Sequence, residues 1–148
     1  MTSSRAALRK ELRSRRRALS AGAQASGEAA VAAALAPWLA ARCPEVVAGY
    51  LATDGEISPA GCVTAARAVG ATVVFPRIAD DTMTFHTVGS EAALVEGRWG
   101  LMEPAEDAPA VAAEAIDIVL TPLVGFDAAG TRLGRGKAYY DRAFAFLA

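Results

Sequence analysis

A thin apolar stripe runs along residues 4–19 and predicts a first helix. Its members are Ala7, Leu8, Leu12 and Leu19. Ser3 or Ser4 stands where a side chain can cap that helix, and Ser20 opens a second, alanine-rich helix that runs to about residue 41. The side chains expected to pack inward from the second helix are Leu35, Trp38 and Leu39.

Apolar runs farther along the chain predict strands. Residues 46–52 (VVAGYLA) and 71–76 (ATVVFP) are continuously apolar, which is typical of buried strands. Residues 83–88 (MTFHTV) alternate between polar and apolar positions and predict a more exposed strand. Residues 116–126 (IDIVLTPLVGF) form a strong strand pattern.

The segments between these strands complete an alternating pattern. Ser58 followed by Pro59 predicts the start of a helix, and residues 96–110 predict a loop rich in glycine, proline and acid. A last helix is expected from about Ala138 to residue 148. The alternation predicts an α/β fold, a three-layer sandwich with a mainly parallel central sheet flanked by helices, in a single domain over residues 1–148.

The composition is that of a soluble globular protein, but its charge is unevenly distributed. Apolar residues make up 53% of the chain, and no apolar run is long enough to span a membrane. Residues 1–17 hold seven basic side chains and one acid, a net +6, whereas the rest of the chain carries −7. The basic segment predicts an anionic ligand, docking onto the acidic body, or both. The basic segment lacks the apolar stretch expected of a secretory signal, and Cys43 and Cys62 lack a CxxC spacing. We therefore expect free buried thiols and a cytoplasmic location.

The most unusual local sequence is GTRLGRGKAYYD at residues 130–141. Gly134 and Gly136 allow the backbone to approach a ligand closely, and Arg132, Arg135 and Lys137 suit phosphate. The spacing is not that of a Walker A loop. The pattern therefore leaves two interpretations open, an anion-binding loop and a solvated basic turn.

Several acids and aromatic residues also allow two interpretations each. Asp141 is either a magnesium ligand or an acid that the helix dipole favours. Glu56 either binds amide or amine hydrogens of a ligand or caps the following helix. Trp99 either stacks on a ligand ring or covers the core, and Tyr139 and Tyr140 either stack on a flat ligand or pack in the core.

Three loops are expected to meet at one edge of the sheet, because ligands bind beyond the carboxyl ends of parallel strands. They are the DGE turn at 54–56, the RWGLMEP loop at 98–104 and the GRGK loop at 134–137. Arg5 and Arg9 lie four residues apart on one face of the first helix, where they either clamp phosphate or form a solvated surface. His86 is expected to be structural, and the sequence contains no Ser/His/Asp, Cys/His or zinc pattern.

Together, these segments resemble the 5-formyltetrahydrofolate cyclo-ligase family, also called methenyltetrahydrofolate synthetase. LRKELRSRRRALS is similar to the family's N-terminal helix, GEISP to its GEI turn, and GRWGLMEP to its G-x-x-G-[IL]-x-EP segment. The most specific match is TPLVGFDAAGTRLGRGKAYYDR, which is similar to the family's P-x-x-x-FD-x-x-G-x-RLG-x-G-x-G-YYDR signature. The resemblance runs through nearly the whole chain.

The resemblance implies an enzyme that converts 5-formyltetrahydrofolate, with or without a polyglutamate tail, to 5,10-methenyltetrahydrofolate using ATP and Mg²⁺. It assigns ATP binding to Arg5, Arg9, Arg132, Gly134, Arg135, Gly136, Lys137, Ala138, Tyr139 and Tyr140. It assigns the folate pocket to Leu51, Glu56, Trp99 and Tyr139, and the metal to Asp141. Arg135, Lys137 and Tyr139 are the expected catalytic residues.

Two departures from the family pattern affect these expectations. Ala138 stands where glycine is common, and its methyl group is expected to crowd the ligand or to restrict the backbone to negative φ. Family members continue past YYDR into a segment that supplies further strands and a second acid near the metal, so the chain is expected to be C-terminally short with an open sheet edge. A monomer or an edge-paired homodimer would follow.

The alternative to an active enzyme is a non-catalytic relative that binds folate or nucleotide. Nucleic-acid binding is disfavoured, because the rest of the chain is acidic and no stacking platform accompanies the arginines. No membrane partner is expected either.

Overall fold

The computed structural model describes residues 4–90 and 93–148, and of Trp99 it describes the backbone only. The described α-helices, α1 to α4, span Arg5–Arg17, Ala21–Arg42, Ala60–Ala68 and Tyr139–Ala143. The described strands, β1 to β9, span Val46–Ala48, Thr72–Ala79, Thr82–Thr87, Leu94–Glu96, Met102–Pro104, Ala110–Val111, Ile118–Val119, Gly125–Phe126 and Arg132–Leu133. Within these ranges, none of the helices is long and apolar enough to cross a membrane.

The central sheet has five strands in the order β6, β3, β2, β1, β7. β1 is parallel to both of its neighbours, with Val47 opposite Val73 of β2 and Ile118 of β7. β3 is antiparallel to β2, and β6 extends the sheet antiparallel to β3. The parallel core is therefore β2–β1–β7, whose carboxyl ends lie on one side of the molecule.

Alternate residues of the strands face two different apolar layers, as the pleat of a strand requires. Val47, Val73 and Phe75 face the layer that contains Leu39 of α2 and Val63 of α3.

The opposite face of the sheet is covered by the C-terminal helix. Ala48, Val74 and Phe85 are buried there, and Tyr140 and Phe144 pack against them. The rings of Phe85 and Phe144 are tilted with centroids 5.5 Å apart. The two layers and the sheet confirm the predicted three-layer α/β fold.

Helix α1 lies outside these layers and is held by polar contacts. It has no buried residue, and Ser4 caps it by accepting the N–H of Ala7 at 3.2 Å. Arg9 donates to the carbonyl of Gly134 at 2.8 Å, and Arg16 donates to the carbonyl and the carboxylate of Asp54 at 3.0 and 3.1 Å. α1 therefore docks onto the loops that follow β1 and β9, as its charge suggested.

The first two helices are confirmed, but one packing prediction is wrong. Ser20 caps α2, Leu39 is fully buried, and Leu35 packs on the core. Trp38 is 40% exposed instead, with the guanidinium of Arg42 3.7 Å from its ring centroid. Arg42 follows one turn later on the same helix, so it covers this ring on the outer surface of α2.

Two other helix boundaries differ from the prediction. Pro59 is the N-cap of α3 and not its first helical residue, while the hydroxyl of Ser58 accepts the N–H of Ala60 at 3.3 Å. The last helix ends at Ala143, because Phe144 leaves helical geometry and turns its ring onto the sheet. A 3-10 turn over Ala145–Leu147 follows.

The strands are shorter or more buried than their patterns predicted. β1 ends at Ala48, four residues early, and the pattern over 116–126 pairs with β1 only at Ile118–Val119. Pro122 has no N–H for a ladder, and β8 pairs with β9 in a separate hairpin. Within the strand predicted to be more exposed, Phe85 and His86 are buried, because β6 covers that edge.

Two further expectations concern a loop and the thiols. The predicted loop at 96–110 contains most of a hairpin, in which Leu94 pairs with Pro104. His86 has the expected structural role, since its Nδ1 bonds the carbonyl of Ala108 at 2.8 Å. Cys43 and Cys62 are free, but only Cys62 is buried.

Candidate active site

An open cleft lies at the carboxyl ends of the parallel strands, beside α1. Its volume is about 2030 Å³, larger than the roughly 300–1,000 Å³ of a pocket for one small ligand. Three segments line it: the turn after β1, the β4–β5 hairpin, and residues 131–141. The three loops that the sequence placed at one edge therefore meet in a space large enough for two substrates.

Glu56 is the buried acid of this cleft, with 4% of its surface exposed. Its Oε2 accepts the N–H of Thr53 at 3.1 Å, while the carbonyl of Thr53 accepts the N–H of Glu56 at the same distance. Burial, and then the charge of Glu56, raise the pKa of the neighbouring Tyr50 to about 12. Within the described residues the carboxylate of Glu56 bonds this turn and Arg135, so it does not cap α3.

Arg135 supplies the counter-charge to Glu56. Its Nε and Nη2 lie 3.0 and 2.8 Å from Oε1 of Glu56, and the same guanidinium donates to the carbonyl and hydroxyl of Thr53. The side chain of Arg135 is 38% exposed and that of Glu56 is 3% exposed. The pair therefore joins the loop after β9 to the turn after β1 at the wall of the cleft, a contact that the sequence did not predict.

The glycine loop is shaped around two arginines. A Cβ at Gly134 would lie 2.7 Å from Nη1 of Arg132, and a Cβ at Gly136 would lie 3.5 Å from Cζ of Arg9. Gly136 also has φ +100°, in the region that favours glycine. A side chain at Gly134 would therefore displace the guanidinium of Arg132, whereas at Gly136 the backbone conformation is what favours glycine.

Ala138 adopts a backbone conformation that was not expected for alanine. It has φ +56° and ψ 24°, in the left-handed region, at the N-cap of α4. The expectation that alanine restricts this position to negative φ is therefore wrong. The loop keeps a glycine-like turn, and Ala138 lines the cleft under backbone strain.

Asp141 is an exposed carboxylate at the rim of the cleft. Its Oδ1 accepts Nη2 of Arg132 at 3.1 Å, and 72% of its side chain is exposed. The described residues contain no cluster of three or more acid, histidine or cysteine side chains that could hold a metal. A single carboxylate beside a basic glycine loop fits Mg²⁺ carried by a nucleotide, which keeps phosphate oxygens and waters as ligands.

The two tyrosines of the YYD sequence have different surroundings. Tyr140 packs on the sheet, where burial raises its pKa, and the guanidinium of Arg132 lies 5.6 Å from its ring centroid. Tyr139 is half-buried, with its hydroxyl 3.5 Å from Oδ1 of Asp81 and Arg142 5.1 Å from its ring centroid. Tyr140 is therefore a core residue that also borders the cleft, whereas Tyr139 is available to a ligand.

The β4–β5 hairpin forms another wall. A Cβ at Gly97 would lie 2.2 Å from Cδ of Glu103, whose Oε1 accepts Nη1 of Arg77 at 2.7 Å. Trp99 lies in the 3-10 turn between the two strands, and its side chain is outside the described part of the structure.

The other predicted residues line the same cleft. Leu51 is half-buried and packs on the core, while Arg5 and Lys137 are exposed. Arg13 and Thr53 are among the lining residues that were not predicted. Arg13 follows Arg9 by four residues in the sequence, and this helical spacing could have predicted that both face the cleft.

The chain matches the 5-formyltetrahydrofolate cyclo-ligase family over residues 1–148. It belongs to this family. The cyclo-ligase of Haemophilus influenzae is 30% identical over 145 residues, which cover 95% of this chain and 78% of that protein. The cyclo-ligase of Escherichia coli K12 is 30% identical over 135 residues, covering 88% and 74%.

Two solved structures share the fold of this cyclo-ligase family member. A 5,10-methenyltetrahydrofolate synthetase from Mycoplasma pneumoniae gives a TM-score of 0.77 at 25% identity, covering 97% of this chain and 78% of that one. The synthetase from Aquifex aeolicus gives 0.82 at 29% identity, covering 95% and 72%.

Proposed function

We propose that this protein converts 5-formyltetrahydrofolate to 5,10-methenyltetrahydrofolate, with ATP as co-substrate and with release of ADP and phosphate. The main structural support is one cleft that holds both a basic glycine loop, at 134–138, and a buried carboxylate, Glu56. The loop suits phosphates, and the carboxylate suits the N–H groups of a pteridine ring. Family membership supports the same reaction.

The reaction has two steps. In the first, the formyl oxygen attacks the γ-phosphorus of ATP, and the bond from phosphorus to the ADP oxygen breaks, which leaves a phosphorylated imine. In the second, the other folate nitrogen attacks the former formyl carbon and loses its proton, while the bond from that carbon to the phosphorylated oxygen breaks and phosphate leaves. Neither step needs a protein nucleophile, so the protein acts by positioning and charge neutralisation.

The phosphate side of the cleft is assigned to α1 and to the loop after β9. Arg9 holds the loop through Gly134, and its remaining N–H groups reach phosphate oxygens. Arg135 and Lys137 neutralise the charge of the transferred group, and Arg5 extends the basic surface. The backbone from Gly134 to Tyr140 lies along the phosphates.

The folate side is assigned to the turn after β1 and to the hairpin. Glu56 accepts pteridine N–H groups, Leu51 packs against the ring, and Trp99 stacks on it. Tyr139, between the two sides, contacts both substrates. Because Arg135 now pairs with Glu56, it must turn toward the phosphates when the folate binds.

Asp141 is the proposed Mg²⁺ ligand. Bound Mg²⁺ would neutralise charge on the phosphate oxygens of ATP. Arg132 bonds one carboxylate oxygen of Asp141 and so fixes its orientation toward the cleft.

The proposal includes a cytoplasmic enzyme, since free cysteines suit a reducing compartment. It includes a monomer or a homodimer paired through the β7 edge. Sedimentation at several concentrations distinguishes them. Polyglutamylated and monoglutamylated substrates are compared through their KM values.

The direct test mixes the protein with 5-formyltetrahydrofolate, ATP and Mg²⁺ and follows the near-UV absorbance of the methenyl product. We expect turnover with one ADP formed per product, and its loss in Lys137→Ala but not in the remote variant Arg42→Ala. Saturable binding of folate or nucleotide without turnover would establish the alternative, a non-catalytic binding relative.

A further inference from the structure

The arginines of α1 divide into two sets with different partners. Arg15 pairs with Glu11, and Arg16 and Arg17 both pair with Asp54. The second set follows at four-residue spacing along one face of the helix and lines the cleft: Arg5, Arg9 and Arg13. In the described part of the chain, none of these three forms an ion pair with a carboxylate.

Arg13 differs from Arg9 in that its Nε has no protein acceptor among the residues that the structure describes. Arg9 donates its Nε to the carbonyl of Gly134 at 2.8 Å. The Nε of Arg13 is buried from solvent, and within the described residues it has no hydrogen-bond partner. A buried, charged donor without an acceptor is unfavourable, so an acceptor supplied by a ligand would satisfy it.

The position of Arg13 on α1 indicates which ligand group it meets. Arg9, one turn before it, contacts the glycine loop, and Arg16, three residues after it, contacts the carbonyls of Asp54 and Leu123. Arg13 therefore lies between the phosphate loop and the turn that carries Glu56. In the proposed reaction, this is where a phosphoryl group passes from nucleotide to folate.

We propose that Arg13 binds the phosphoryl group in transit, first as the γ-phosphate of ATP and then as the phosphate on the folate oxygen. This inference rests on the proposed cyclo-ligase reaction. The oxygen–phosphorus bond to folate forms as the bond to ADP breaks, and the guanidinium neutralises the charge on the equatorial oxygens throughout. It transfers no proton, because arginine stays protonated in proteins.

Arg13→Ala is the test variant, and Arg15→Ala is its matched control on the same helix. We expect Arg13→Ala to lower kcat about a hundredfold. By calorimetry, the Kd of a non-hydrolysable ATP analogue should rise about tenfold, while the Kd of ADP stays within about twofold. Arg15→Ala should leave all three values unchanged, because Arg15 is exposed and pairs with Glu11.

Equal weakening of ADP and of the analogue would overturn the proposal, as would an unchanged kcat. The two binding measurements need no turnover, so they test Arg13 even if the wild-type protein fails the cyclo-ligase assay. If Arg13→Ala does not fold by circular dichroism, Arg13→Gln keeps most of the side-chain stem, and the same three values decide. Partial recovery of kcat in Arg13→Ala by free guanidinium would support the assignment to a phosphoryl contact.

Discussion

Ala138 carries a Cβ in a backbone conformation that favours glycine. Its φ of +56° lies in the left-handed region, where an L-residue with a Cβ is strained by ~1–2 kcal/mol. Glycine removes this strain but adds freedom to the unfolded chain, which offsets ~0.4–1 kcal/mol. We expect Ala138→Gly to raise the free energy of unfolding by about 0.5–1 kcal/mol, measured by urea denaturation.

Ala29→Gly is the control for Ala138→Gly. Ala29 is exposed inside α2, where glycine is less favourable than alanine by ~1 kcal/mol. The two substitutions, chemically the same, should therefore shift the urea midpoint in opposite directions. A lower midpoint for Ala138→Gly would show that the left-handed turn is not strained.

Glu56 and Arg135 give a second prediction, on ligand affinity. Glu56→Gln removes the charge that would hold folate N–H groups and that now holds Arg135. The Kd of 5-formyltetrahydrofolate should rise at least tenfold, since a hydrogen bond to a charged group contributes ~1.5–3 kcal/mol. The Kd of a non-hydrolysable ATP analogue should fall, because Arg135 is released to the transferred phosphoryl group; calorimetry measures both.

Glu28→Gln is the matched control for this prediction. Glu28 does not line the cleft. It accepts the N–H of Ser58 at 2.9 Å, and a glutamine oxygen can accept the same bond. Both Kd values should stay near those of the wild type. If Glu56→Gln weakens binding of the ATP analogue as much as binding of folate, the assignment of Glu56 to the folate side is wrong.

Helix α1 is an element held by charge, so its docking should depend on pH. The hydrogen bond from Arg17, and then the charges of Arg17 and Arg16, hold the pKa of Asp54 below its usual value of 3.8. The stabilisation is complete above that usual value, and it is lost as the pH falls through the lower pKa of the folded state.

Asp54→Asn tests this pH dependence. We expect the variant to be less stable than the wild type near neutral pH and the gap to close as the pH falls below 3.8 and Asp54 is protonated in the wild-type folded state. Urea denaturation across this range measures the gap. The hydrogen bond from the backbone of Thr131 also lowers the pKa of Asp127, but Asp127 is present in both proteins. The difference in free energy of unfolding between wild type and Asp54→Asn therefore reports on Asp54. A gap that is independent of pH would contradict the docking role.

In the β4–β5 hairpin, the side chain of Glu103 packs closely against Gly97, which leaves no room for a Cβ there. Gly97→Ala puts a methyl group where Glu103 now lies and should displace it from Arg77. Overpacking of this kind costs ~1–3 kcal/mol, and the KM for folate should rise because the hairpin forms one wall of the cleft. Gly89→Ala is the control, as a Cβ there would meet nothing within 4 Å. An unchanged KM in Gly97→Ala would show that the wall tolerates the shift.

At the scale of the whole molecule, the sequence predicted the features that depend on interactions between residues close together in the chain. The helices that begin after Ser4 and Ser20 were predicted, because a serine cap and apolar spacing act within a few residues. The pattern at 116–126 was misleading, since apolar residues alone do not show which strand they pair with, and Pro122 interrupts the ladder.

The candidate site was predicted as a set of loops but not as a set of contacts. The resemblance to the family placed Glu56 and Arg135 in separate roles, and nothing local indicates that they pair across 79 residues. Nor could the sequence predict that the Nε of Arg13 has no partner in the described ranges, because this depends on which acids fold near α1 and which do not. Long-range pairing is a property of the whole fold.

The bond between Arg9 and Gly134 joins residues 125 apart in a helix that buries no side chain of its own. Such a helix can detach while the core stays intact, and local openings of this kind dominate amide hydrogen exchange. We expect the amides of α1 to exchange faster than those of β1 and β2, and ADP to slow α1 and residues 134–138 together. Independent slowing of the two segments would contradict this linkage. Nucleotide binding is then expected to hold α1 against residues 134–138 and so to make a loosely attached first helix part of the cooperative structure.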